Sequence, residues 1–166
     1  VFRLLHGIFP AKVAYAHCDI PCGIYDPHTA QLAALTAIRM DQLIRDLKKP
    51  GPGASPQEMD AYAAELSRLT ATKEHHAELV KHELRILWGD YFKPEHVQQV
   101  PDLHDQFWKA MKLASTVRQK SDLKAAEELL AAVHKIAEAF WKTKGAKTRK
   151  QTSRHAVGCE LVYPAP

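Results

Sequence analysis

The sequence has three cysteines, Cys18, Cys22 and Cys159, and that scarcity excludes a disulfide framework, which needs an even and larger set. Long apolar runs are missing too. No stretch approaches the roughly 18 consecutive apolar residues that mark a membrane span. A dominant charge is also absent: 23 Lys and Arg against 19 Asp and Glu leave a net charge of +4. What excess there is gathers at Lys142, Lys144, Lys147, Arg149, Lys150 and Arg154. No aromatic or base-reading residues are interleaved there, so the cluster gives no nucleic-acid surface. It reads instead as a basic, disordered tail over 143–166. Period-two alternation is absent over any useful length, which excludes a β-sheet fold.

What remains is helical periodicity in a chain of single-domain length. Asp26-Pro27 opens a first helix, with Asp as the cap and Pro suited to the first turn. Ala33, Ala37, Met40, Ile44 and Leu47 share its apolar face until Pro50-Gly51-Pro52-Gly53 breaks the chain. Ser55-Pro56-Gln57-Glu58 is a capping box opening a long second helix. Its stripe runs from Met59 through Ala63, Leu66, Leu69, Ala77, Val80 and Leu84 to Leu87, with Lys73 as its polar interruption. A third helix carries Leu103, Phe107, Met111, Ala114 and Val117. A fourth, capped by Ser121, carries Leu123, Ala126, Leu130, Val133, Ala137 and Phe140. Four helices that each bury one stripe make an all-α, up-and-down four-helix bundle. The second helix, about twice the usual length, is expected to protrude or bend.

The N-terminal stretch differs. Residues 1–16 are apolar with two cations and end in Ala14-Tyr15-Ala16, a small-x-small pattern that suits a leader-processing protease. We expect a cleavable leader over 1–16. The next residues are His17-Cys18-Asp19-Ile20-Pro21-Cys22-Gly23-Ile24-Tyr25-Asp26-Pro27. Pro21 and Gly23 permit the tight bend that would let both thiols face one metal. Cleavage after Ala16 would free the α-amine of His17. Amine, Cys18 amide nitrogen and two thiolates then form a near-planar set of two nitrogens and two sulfurs, which suits Ni(II) or Cu(II) rather than tetrahedral zinc. Thiolate and amide donors, with an axial imidazole, also bring a trivalent state within reach.

This segment resembles the metal-binding hook of nickel-dependent superoxide dismutases. Glu78 to His82, Leu87 to Pro94 and Phe140-Trp141-Lys142 resemble the same family, so the likeness runs over about 17–142. It implies disproportionation of superoxide to dioxygen and hydrogen peroxide by Ni(II)/Ni(III) cycling, with one nickel per subunit of a homohexamer. The ligands it implies are His17, Cys18 and Cys22. Tyr25 and His17 take the catalytic positions. Asp19, Pro21, Tyr91 and His76 surround them. Ala33 and His76 stand where some relatives carry a glutamate and an arginine supporting the axial imidazole, so His76 is expected to take part of that role. Lys93, beside the Tyr91 segment, is a candidate cation for steering superoxide.

The remaining histidines read as surface or packing groups, among them His75, His82, His96, His104 and His134. Trp88, Trp108 and Trp141 read as core or interface aromatics. Cys159 reads as incidental. A non-catalytic nickel or copper carrier would use the same thiolates without redox cycling. A thiol redox protein would pair them in a disulfide. The expected compartment is the cytoplasm, or the exterior if the leader is a true export signal. Neither nucleic acid nor membrane is expected as a partner.

Overall fold

The computed structural model describes residues 22–166. Five helices and one hairpin follow in order: α1 His28–Asp46, α2 Pro56–Ile86, a π-helical turn Leu87–Tyr91, α3 Pro94–Gln99, α4 Leu103–Gln119, α5 Leu123–Thr143, β1 Thr148–Thr152 and β2 Glu160–Pro164. Helices α1, α2, α4 and α5 pack in a closed ring, each against its sequence neighbours and α5 back onto α1. That is the up-and-down four-helix bundle the periodicity predicts. No described helix is long and apolar enough to cross a membrane.

The helix starts follow the capping signals closely. The Asp26 carboxylate accepts the His28 N–H at 2.7 Å, just ahead of α1. Both halves of the Ser55–Glu58 capping box are present on α2. The start of α5 differs by one residue: Asp122, not Ser121, is the cap and accepts the Ala125 N–H at 3.2 Å. A carboxylate there also faces the positive end of the helix dipole.

The core is continuous. Ala30, Ala33, Ala34 and Ala37 give α1 a small-residue face, which lets the neighbouring helices approach closely. Leu84, Phe107, Leu129, Ile136 and Phe140 fill the centre with no exposed surface. Each such side chain contributes roughly 1.5–3 kcal/mol through burial. Helix α2 has 31 residues against 19 in α1, so its first turns find no partner helix among the described residues. Met59 is 40 % exposed and Ala63 is exposed, although both belong to the apolar stripe; burial begins at Leu69. The polar interruption Lys73 lies inside the core, 1 % exposed.

The C-terminal segment overturns the expectation of a disordered tail over 143–166. Helix α5 runs to Thr143, and β1 and β2 pair antiparallel with Thr148 opposite Pro164 and Thr152 opposite Glu160. Leu161 and Val162 are 1 % exposed and close over α1 and α5. The basic composition conceals this, because β1 (TRKQT) is polar throughout and only three apolar residues of β2 do the anchoring. Gly158 (φ 76°) and Cys159 (φ 55°) occupy left-handed positions just before β2. Cys159 is half-buried and packs on the core.

The hairpin also buries His134, which the sequence reading placed among surface or packing groups; packing is the outcome. It is 8 % exposed, with its Nε2 unpaired among the described residues. Burial, helped by the Lys150 ammonium, holds its pKa below the ordinary imidazole range, against the pull of the Glu160 carbonyl and of Glu138. A depressed histidine pKa means that the unfolded chain binds the extra proton first. Stability from this site is therefore complete above pH about 6.5 and is lost as pH falls through the depressed value. His134→Leu is expected to flatten the decline of melting temperature between pH 7 and pH 5. An unchanged slope would contradict the assignment.

Candidate metal centre

The residues leading into α1 form the described part of the hook. Cys22 is exposed, and its sulfur accepts the Ile24 N–H at 3.4 Å. Gly23 between them has φ 73°, a left-handed conformation in which a residue with Cβ is strained. The reversal carries the chain to Tyr25, whose ring meets that of Tyr91 with centroids 5.6 Å apart.

Tyr91 owes its position to the π-helical turn. The Phe92 N–H reaches back five residues to the Leu87 carbonyl at 3.0 Å, and the widened turn swings Tyr91 inward while Trp88, Gly89 and Asp90 stay exposed. Tyr91 is 9 % exposed. The Thr143 hydroxyl lies 2.7 Å from the Phe140 carbonyl and 2.7 Å from the Tyr91 hydroxyl. Thr143 has one proton, and a carbonyl can only accept, so Tyr91 donates to Thr143. The Tyr91 ring also stacks on His96 at 5.4 Å and packs on Phe140 at 4.5 Å, and the Lys144 ammonium sits 5.0 Å above it. Tyr91 is thus a fixed wall, and Tyr25 leans on it.

The other expected site residues divide plainly. His17, Cys18, Asp19 and Pro21 lie outside the described residues. Tyr25 and Tyr91 are brought together. The described partners of His76 lie on its own helix: its Nδ1 is 2.9 Å from the Thr72 carbonyl, and its ring meets His75 at 5.3 Å. Ala33 is 2 % exposed in the bundle and offers no polar atom. Lys93 is an exposed residue preceding α3. Among the described residues the cation over the Tyr91 ring is Lys144, one residue past α5, which the sequence reading assigned to the tail. The four-residue step from Phe140 to Lys144 was the available signal.

No group of three or more potential metal-binding side chains converges among the described residues. Cys22 is the sole member of the expected ligand set among them. A soft sulfur donor held by an N–H beside a left-handed glycine fits a thiolate-ligated nickel or copper ion.

Comparison with known proteins decides the family. The family model for nickel-containing superoxide dismutase matches residues 12–144. The chain belongs to the nickel-containing superoxide dismutase family. It is similar to the nickel superoxide dismutase of Streptomyces seoulensis, 34% identical over 144 residues, which span 86% of this chain and 100% of the relative. The Streptomyces coelicolor enzyme is 33% identical over the same span. A native nickel superoxide dismutase structure covers 77% of this chain and 99% of its own, at 32% identity and TM-score 0.66. Another, with nickel ligation in the oxidised state, covers 78% of this chain and all of its own, with TM-score 0.67. Solved variants in the same set replace a histidine at the first position of their chain, an aspartate at the third and a tyrosine at the ninth. This chain is accordingly an oxidoreductase that disproportionates superoxide with nickel as its cofactor.

Proposed function

We propose that the nickel is held by His17, through its α-amine and imidazole, by Cys18, through its amide nitrogen and thiolate, and by the Cys22 thiolate, once residues 1–16 have been removed. The nickel supplies the one-electron couple by which superoxide is alternately oxidised and reduced. The observation that carries the assignment is the register of the hook. Counted from His17, the third residue is Asp19 and the ninth is Tyr25, the residue types that relatives carry at those positions of their chains.

The chain's own residues shape access and proton supply. Tyr25, braced by Tyr91, stands at the described end of the hook, and its hydroxyl is a side-chain proton source there. Asp19 and Pro21 hold the bend. Lys144, rather than Lys93, supplies the positive rim that speeds encounter with superoxide. His76, on α2, would act as an outer partner of the His17 imidazole. The working assembly is a homohexamer, for which exposed Ile24, Trp88 and Trp108 are contact candidates. Maturation requires a leader-processing protease, and the compartment is the cytoplasm.

The test is to leave one glycine ahead of His17 in an otherwise mature chain, so that the imidazole and both thiols remain but the amine is displaced. Nickel affinity is expected to fall by at least about a hundredfold, as loss of a direct ligand should exceed the effect of losing an outer partner. Equal affinity in competition with a chelator would show that the amine is not a ligand.

A further inference from the structure

The hairpin of β1 and β2 lies beyond residue 144, where the match to the family ends. We infer that it is a clasp that positions the base of the metal-binding hook, so that Gln31 and Tyr163 are positioning residues for the nickel site. The inference rests on the reading of the loop from His17 as that site.

Gln31 carries the argument. It lies one turn into α1 and is 1 % exposed. Its Nε2 donates to the Val162 carbonyl at 3.1 Å, and its Oε1 accepts the Val162 N–H at 2.7 Å. A side-chain amide thus satisfies both backbone groups of one strand residue, as a neighbouring strand would. A buried glutamine with both ends of its amide engaged specifies one docked geometry, because any slip leaves polar groups unpaired. Next to it, the ring of His28, the first residue of α1, meets that of Tyr163 at 5.6 Å. The Ala165 N–H donates to the Lys147 carbonyl at 2.7 Å and closes the open end of the hairpin.

These contacts complete a circuit around the hook's base. From Tyr25 the chain runs two residues into α1. There His28 and Gln31 hold β2. Strand β2 pairs with β1, and β1 leads back to Lys144 and Thr143. Those two hold Tyr91, and Tyr91 meets Tyr25. Without the hairpin the circuit is open, and the His28 and Gln31 side chains lose these partners.

The test uses the mature chain, residues 17–166, carrying Gln31→Leu, Tyr163→Ala or Tyr163→Phe. Backbone hydrogen exchange is measured on metal-free protein, and nickel release into a chelator on loaded protein. Gln31→Leu and Tyr163→Ala are expected to speed exchange of residues 23–32 by about tenfold or more, with the α4 and α5 core unchanged. Nickel release should speed up by a similar factor. Tyr163→Phe keeps the ring and should match the parent. A purely structural hairpin would loosen residues 160–164 and lower the melting temperature, leaving exchange of 23–32 and nickel release within about twofold of the parent; that result overturns the inference. If the parent itself retains no nickel, the ligand reading fails, and the exchange measurement still decides the clasp.

Discussion

Replacing Cys22 by serine removes nickel from the mature protein and abolishes dismutase activity, with a loss well beyond about a hundredfold, while the bundle keeps its melting temperature. The size follows from what the sulfur does. A thiolate gives the electron density that makes a one-electron couple of nickel reachable, and a hydroxyl is a poor ligand at neutral pH. Outer partners of a metal ligand typically matter by about 10–100-fold, so loss of a ligand itself should exceed that range. Stability is spared because Cys22 is exposed and precedes the first helix of the bundle. Metal analysis, activity and thermal melts on one preparation check all three parts. Retained nickel with retained activity would remove Cys22 from the ligand set.

A second large effect concerns stability. Lys73→Met is expected to destabilise the bundle by about 3–5 kcal/mol at pH 7, the usual consequence of removing one partner of a buried pair. The Lys73 ammonium donates to the Val117 carbonyl at 2.7 Å and to the Lys120 carbonyl, and lies 3.9 Å from the Asp41 carboxylate. It therefore neutralises the C-terminal end of α4 and ties it to α1 and α2. Both side chains of the pair are 2 % exposed, so water screens little of this. Among the described residues no hydrogen bond of normal length and angle reaches Asp41; the Ser121 hydroxyl and the Asp122 N–H act at longer range. Burial pushes the Asp41 carboxyl above the ordinary range, against the pull of Lys73. A raised acid pKa gives stability that is complete below the ordinary value of 3.8 and is lost as pH rises through the raised one. Without Lys73 that rise is larger, so the deficit of the variant should shrink as pH falls towards 5. Adding Asp41→Leu should restore much of the loss. Urea unfolding at pH 7 and pH 5 checks this, and a deficit under about 1 kcal/mol at pH 7 would contradict it.

The legible parts of the sequence are those where one local rule decides. Ser55 and Glu58 fix the start of α2, and the three- and four-residue steps of α4 and α5 fix their buried faces, because capping and periodicity act within a few residues. The hairpin was not legible. Its docking depends on Gln31, which lies 131 residues from Val162 in the chain and reads as an ordinary polar helix position. For His134 the sequence left surface and packing both open for the same reason, since the segment that buries it comes later. At the site, the cysteines, the flanking glycine and the run into Asp26-Pro27 announce metal chemistry by composition and spacing. Lys144 was missed because its role depends on the Tyr91 ring across the fold, brought there by a π-helical turn that leaves no periodic trace.

The central claim is that the nickel ligands become available when the chain begins at His17. The direct measurement is intact mass together with bound metal, on protein matured in cells supplied with nickel. The account predicts a chain whose mass starts at His17 and which carries about one nickel per subunit. A nickel-loaded, active protein that still retains residues 1–16 would contradict it, because the amine of His17 would then be locked in a peptide bond.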